Sequence, residues 1–354
     1  MLEHLSLTNY RNHSKYDLDL SEITVLIGNN GIGKTNILEA IELLSSCRSF
    51  RGDNRLELIK FGEDFTRVSA EMSSSGLTRG STNSLEIFIS NKPRLVFQVK
   101  ERGIKRKVAD FVGLLPSVVF SPESLEIVKG EPKDRRRFLD VVISQRDHNY
   151  LRALQDYKKI LTQRNNLLKL IADGQADHDQ LDFWDDQIVN VARTITDARK
   201  VAVEDFSSKI VGFYRTISGD KKGLVEIVYH AKAEGDFAAK LKAKRHIDIA
   251  SGLTTSGPHR DDLQFKLNSL EAEKYASRGE LRSVVLALKM AELKYLENGT
   301  TPILLLDDIF SEFDANHRAH LYNLVEDYQT LITTTDKLHL SPELLTKASV
   351  IEVK

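Results

Sequence analysis

Eight consecutive residues, GNNGIGKT at Gly28–Thr35, fit the phosphate-binding pattern G-x-x-x-x-G-K-[ST] without mismatch. Each position has a task in that chemistry. Gly28, Gly31 and Gly33 let the loop close tightly around phosphates, and the backbone N–H groups of the intervening Asn29, Asn30 and Ile32 point inward. Lys34 reaches the β and γ phosphates, and the Thr35 hydroxyl takes a Mg²⁺ ligand position. The strand-like ITVLI before the loop and the helix-like TNILEAIELLSS after it supply the context the pattern requires. The chemistry implied is the binding of a nucleoside triphosphate.

Such a loop needs an acidic strand end to complete the magnesium site, and PILLLDDIF provides Asp307 and Asp308 behind an apolar run. Asp307 would hold Mg²⁺ directly or through water, and Asp308 stands where a general base orients the attacking water. A third element is YASRGELRSV, residues 275–284, where Ser277 and Gly279 open a helical pattern. Two readings stand there: Ser277 as a simple N-cap, or open N–H groups at the positive dipole end as an anion seat.

These residues must be positioned by the elements around them. The first hundred or so residues are strand-rich, with LEHLSL, YDLDL, EITVLIG and a hairpin SLEIFIS–NKP–RLVFQVK. From Arg135 to Ile217 the apolar spacing becomes helical. Trp184, Ile188, Val191, Ile195, Ala198, Ala202, Phe206, Ile210, Phe213 and Ile217 form one stripe on a helix about 50 Å long. Upstream, Leu154, Leu161 and Leu168 repeat every seventh residue, and IADGQADHDQ breaks the pattern. Two long helices folded back on each other, as a projecting arm or within a helical domain, account for this. Strand texture returns in GLVEIVYH, DDLQFKLN, PILLLDDIF, TLITTTD and ASVIEVK, alternating with helical GELRSVVLALKMAELKYL and ANHRAHLYNLVEDY. The expected class is α/β with a largely parallel sheet. The expected division is a head over residues 1–130 and 221–354, with a helical arm over 131–220. SSSGLTRGSTNS, residues 73–84, reads as a flexible loop.

Composition narrows the partners. Lys plus Arg total 50 against 51 Asp plus Glu in 354 residues, so any nucleic-acid contact must come from local patches. Lys105–Lys107, or Lys133 with Arg135–Arg137, could neutralise phosphates, although Asp134 and Asp140 could pair with those arginines. Cys47 is the one cysteine and has no internal partner. The start lacks an apolar signal region, and no apolar run nears the ~20 residues of a membrane helix. A cytoplasmic protein without membrane contact is expected. His317 and His320 lie one turn apart without a further ligand nearby, so no metal site is expected there.

The order phosphate loop, helical insertion, Ser277-Arg278-Gly279, acidic pair and SEFD resembles the ABC-type ATPase heads of SMC proteins. More specifically, NYRNH, GNNGIGKTN, LLPSVVFSPESLEIVKGEPKDRRRFLD, TSGPHRDDLQF, YASRGELRSVVLALKMAE and LLLDDIFSEFD resemble the RecF family of bacterial recombination mediators. The resemblance covers nearly the whole chain, in order. It implies an ABC-type P-loop ATPase head with a mixed or parallel sheet and an antiparallel lobe, interrupted by an arm of antiparallel helices. It implies binding of ATP, Mg²⁺ and DNA, single-stranded, duplex or gapped, with ATP-dependent homodimerisation and slow hydrolysis. Cooperation with RecR and RecO in loading RecA, in gap repair, replication restart and the SOS response, is also implied. By position, the signature is Ser277–Glu280 and the D-loop Ser311–Asp314, and Ser277 and Gly279 would meet the γ-phosphate held by Lys34 of a second copy. Arg11 and Asn12 would touch the nucleotide, or else lie as polar residues in a surface loop. The signature departs from LSGGQ, with Glu280 where glutamine is common. His339, past Thr335 and Asp336, is not expected to act as the switch histidine.

Overall fold

The computed structural model describes residues 1–52, 54–73 and 82–354, so most of the expected loop over 73–84 lies outside the described residues. Strands follow the chain as β1 (Leu2–Tyr10), β2 (His13–Asp19), β3 (Ile23–Ile27), β4 (Phe65–Ser73), β5 (Thr82–Ser90), β6 (Val96–Glu101), β7 (Ile104–Arg106) and β8 (Ser117–Phe120). After a helical stretch come β9 (Val225–His230), β10 (Asp262–Leu267), β11 (Leu270–Glu271), β12 (Ile303–Asp307), β13 (Thr330–Thr334) and β14 (Ser349–Glu352). The chain forms two compact units, Met1–Ser124 with Glu292–Lys354, and Leu125–Ala291.

The first unit holds two sheets. One is antiparallel, in the order β2-β1-β4-β5-β6-β7, and its central strand β4 buries every second residue. The other is parallel, in the order β14-β3-β13-β12-β8. All five residues of β12 and of β13 are buried, as parallel strands covered on both faces must be. The helix Lys34–Ser46 leaves the end of β3 and touches strands of both sheets. It is buried on nearly every side, Glu39 and Glu42 included, so its polar groups need partners within the fold.

The second unit contains the helices Pro132–Arg146, His148–Ala172, Leu181–Ser218 and Phe237–Ser251 and a small sheet in the order β11-β10-β9. Strand texture over 225–230 and 262–267 is realised, but β9 and β10 pair antiparallel with each other in this sheet rather than joining the parallel one. Arg164 pairs with Asp185 and Arg199 with the Tyr150 hydroxyl, so advancing on one long helix means retreating on the other: the two run antiparallel. On His148–Ala172 the buried heptad is Tyr150, Tyr157, Arg164 and Ile171, while Leu154 and Leu161 of the expected repeat are only half-buried.

The seam is polar because residues 254–262 hydrogen-bond into it. Arg199 donates to Asp140 at 2.8 Å and Asp261 at 2.9 Å, and Arg164 donates to Asp185 at 2.7 Å and Asp248 at 2.8 Å. Gly257 sits at φ 134°, where a Cβ would lie 2.3 Å from the Tyr157 hydroxyl. Among the described residues, no helix is long and apolar enough to cross a membrane.

Candidate nucleotide site

The phosphate loop joins β3 to the helix Lys34–Ser46 through backbone that only glycine takes readily. Gly31 has φ 80° and Gly33 φ 114°. Close approach adds a second constraint: a Cβ on Gly33 would lie 2.5 Å from His13 Nε2, and one on Gly28 would lie 2.8 Å from the Val353 carbonyl oxygen. Lys34 is buried and turns back on its own loop, donating to the carbonyls of Gly28 at 2.7 Å and Asn29 at 3.0 Å. Burial lowers its pKa, while the nearby carboxylates of Asp308 and Asp307 act in the opposite direction. The ammonium is thus held at the mouth of the cradle by acceptors that a phosphate can replace.

The acidic strand end meets the loop directly. Asp307 closes β12 and is buried, and its Oδ1 accepts from the hydroxyls of Thr35 at 2.9 Å and Thr333 at 2.6 Å. Burial raises its carboxyl pKa, and these two hydrogen bonds offset part of that rise. Asp308 follows at φ 49°, its N–H donating to the Thr333 carbonyl at 3.2 Å and hydroxyl at 3.0 Å. Its Oδ1 is buried and has no hydrogen-bond partner among the described residues. Thr35 and Asp307 thus meet as hard oxygen donors, with the unsatisfied carboxylate of Asp308 next in the chain, a donor set that fits a divalent cation such as Mg²⁺.

Behind the loop, NYRNH acts as a brace. Arg11 forks onto both oxygens of buried Glu39 and donates to the Glu57 carbonyl at 2.9 Å. Asn12 donates to the Ile32 carbonyl at 2.8 Å and accepts from Asn36 at the same distance. Both side chains are thus engaged with the protein's own loop and helix. His13, which sequence reasoning missed, packs under Gly33 with Nε2 3.2 Å from its carbonyl oxygen, and burial lowers its pKa. Its adjacency to Arg11 and Asn12 was the only signal. Outside this brace, Arg51, Leu56, Lys60 and Phe61 line an open cleft of about 660 Å³ with Asn12 and Asn36.

The remaining motif residues fall into local roles. Ser277 and Glu280 form a reciprocal capping box: the Ser277 N–H donates to Glu280 Oε2 at 2.8 Å and the Glu280 N–H to Ser277 Oγ at 3.3 Å. This pair opens the helix Arg278–Leu296, and a Cβ on Gly279 would meet nothing within 4 Å. Asp314 caps the helix Ala315–Asp327 through the His317 N–H, and His317 Nδ1 lies 2.9 Å from the same carboxylate. His339 Nδ1 lies 3.2 Å from the Thr334 hydroxyl. In the run Lys133–Arg137, the hydrogen bonds of Arg135 and Arg136 go to partners other than the expected Asp134 and Asp140. Arg135 forks onto Asp262 at 2.7 and 3.1 Å, Arg136 donates to the Asp261 carbonyl at 2.8 Å, and Asp140 serves Arg199.

Comparison with known proteins agrees with this arrangement. Residues 1–348 match the RecF/RecN/SMC N-terminal domain family. The DNA replication and repair protein RecF of Lachnoclostridium phytofermentans is 36% identical over 339 residues, spanning 95% of this chain and 92% of that protein. A structure of the recombination mediator RecF with ATP, from the RecFOR pathway, superposes with TM-score 0.88 at 32% identity, covering 96% of this chain and 93% of the other. An Smc head bound to the C-terminal winged-helix domain of ScpA aligns with TM-score 0.55 at 16% identity over 99% of this chain and 93% of that one, a likeness of fold alone.

Proposed function

The chain belongs to the RecF family of DNA replication and repair proteins, and from that premise we propose that it is an ATP-dependent DNA-binding protein of recombinational gap repair. In this reading it binds ATP with Mg²⁺, dimerises when ATP is bound, hydrolyses ATP slowly, and acts with RecR and RecO to load RecA onto single-stranded DNA. Replication restart, the SOS response and a cytoplasmic location belong to the same reading. The observation that carries it is the bond between Thr35 and Asp307, which joins the phosphate loop to the acidic strand end in one pocket with Lys34.

Lys34 would exchange its two loop carbonyls for β- and γ-phosphate oxygens. Thr35 and Asp307 would hold Mg²⁺, which neutralises charge on those oxygens when bound. Asp308 would orient the attacking water and take its proton; aspartate is one methylene shorter than the glutamate usual at this position in ABC ATPases, so slow turnover is expected. Ser277 and Gly279 of a second copy would complete the γ-phosphate site, at the start of a helix where N–H groups and the dipole favour an anion. The helices over 131–220 would serve as the arm of a head built from 1–130 and 221–354.

The test is steady-state phosphate release with DNA, alongside molecular mass and DNA affinity with a non-hydrolysable ATP analogue. Lys34→Ala should lose ATP binding and dimerisation, and Asp308→Asn should keep both and lose hydrolysis. Equal hydrolysis by Asp308→Asn and the parent would remove Asp308 from its role. A parent that dimerises on ATP and releases no phosphate would instead be an ATP-gated clamp or scaffold.

A further inference from the structure

We infer that the exposed end of the β6–β7 hairpin is a docking surface for the phosphate backbone of duplex DNA, an inference that rests on the DNA-binding reading above. In the basic run Lys133–Arg137, Lys133, Arg135 and Arg136 are tied to Glu131, Asp262 and Asp261. A second run, Arg102–Lys107, is exposed at every residue. Arg106 pairs with Glu101 at 2.9 Å, whereas among the described residues Lys105 and Lys107 have no ion pair and Arg102 donates only to the neutral Asn83.

Two features place this charge against local preference. Arg102 has φ 50° and Gly103 φ 74°, the left-handed pair of a two-residue hairpin turn, where asparagine or glycine is the favoured first residue. Lys105 stands directly opposite Lys100 across the ladder, and like charges so placed destabilise a sheet. Glu86, opposite Lys100 on its other side, takes the Lys100 ammonium at 2.6 Å, which leaves Lys105 uncompensated. A chain with net charge -1 has therefore concentrated free cations on one hairpin end despite two local costs. Within Arg102–Lys107 the only large apolar side chain is Ile104, and the run itself has no aromatic residue to stack on an unpaired base. Backbone phosphates of a duplex fit this chemistry, since lysine and arginine bind them by charge alone.

The experiment compares the full chain with Arg102→Asn/Lys105→Gln/Lys107→Gln, in which asparagine suits the turn and glutamine keeps a long polar side chain without charge. Affinity for a labelled duplex is read over a salt series with a non-hydrolysable ATP analogue. The slope of log K against log salt should become shallower by about 2 to 3, at roughly 0.9 per lost phosphate contact, and affinity should fall at least about tenfold at moderate salt. ATP affinity and ATP-driven dimer mass should match the parent. Parental duplex affinity and slope in the variant would overturn the inference, leaving the lysines as guards of an open sheet edge or a seat for an acidic protein. So would a loss confined to single-stranded oligonucleotide. A parent that binds no DNA in any nucleotide state would overturn the proposed function as well.

Discussion

The Thr35 hydroxyl and Asp307 Oδ1, 272 positions apart in the chain, share a 2.9 Å hydrogen bond. That contact sits in a site whose carboxylate is costly to keep. Burial raises the Asp307 pKa, so its stabilising contribution is full only below the unfolded carboxyl value and is lost as pH rises through the folded one. Keeping this buried carboxyl ionised therefore costs the nucleotide-free fold stability. Asp307→Asn retains an oxygen that accepts from Thr35 and Thr333 and removes the charge. Thermal unfolding of the nucleotide-free variant at pH 7 should occur at the parental temperature or about 1–3 °C higher, while ATP-dependent dimerisation is lost. A clear drop in unfolding temperature would show that the charge is needed structurally.

Arg11 is predicted to matter before any nucleotide arrives. Its guanidinium forks onto Glu39, whose side chain is fully buried. Arg11→Met would strip that carboxylate of its cationic partner while the Ser49 hydroxyl stays, and stranding one member of a buried pair costs about 3–5 kcal/mol. Chemical denaturation without nucleotide should show a loss of that order. Parental stability, with weaker ATP binding alone, would assign Arg11 to the nucleotide instead.

The polar seam of the long helices predicts an acid sensitivity. Burial pushes His259 down to about 4, and its ring bonds the Tyr157 hydroxyl at 2.7 Å and the Thr254 carbonyl at 2.9 Å. A depressed folded pKa gives stability that is present above the unfolded value of about 6.5 and is lost as pH falls toward the folded one, about 3 kcal/mol over the window. Denaturation of the parent at pH 7 and 4.5 should differ more than that of His259→Asn. Equal pH dependence in the two proteins would place the acid-sensitive group elsewhere.

These predictions also mark what the sequence could tell. The phosphate loop, the acidic strand and the strand and helix textures lie in runs of neighbouring residues, and each took the expected local form. What was hidden depends on partners far along the chain. Arg135 finds Asp262 127 positions away, and Arg199 finds Asp261 62 positions away, so a basic run and an apolar stripe concealed structural ion pairs. A hydrophobic reading chose Leu154 and Leu161 because leucine announces burial, whereas Tyr157 and Arg164 are buried because distant residues satisfy them, His259 for Tyr157 and Asp185, Asp248 and Thr254 for Arg164. Strand texture likewise carries no address: nothing in GLVEIVYH says that its ladder partner is DDLQFKL.

Ser277 shows both sides of this limit, because its local role as a cap is real and leaves Gly279 unexplained. The capping box accounts for Ser277 and Glu280 within one chain. Gly279 has a φ that any residue can adopt and open space where a Cβ would stand. In an isolated chain Gly279→Ala should therefore be neutral or stabilising by up to about 1 kcal/mol, since alanine is the better helix former. A second copy bringing a γ-phosphate to this helix start would need the space that a methyl group fills. Gly279→Ala should then unfold at or above the parental temperature and bind ATP normally, yet form less dimer at saturating ATP analogue. Ser277→Arg, which also forfeits the cap at a cost of about 1 kcal/mol, should still bind ATP and lose dimerisation more completely. If Gly279→Ala dimerised like the parent, the helix start would be a cap and nothing more.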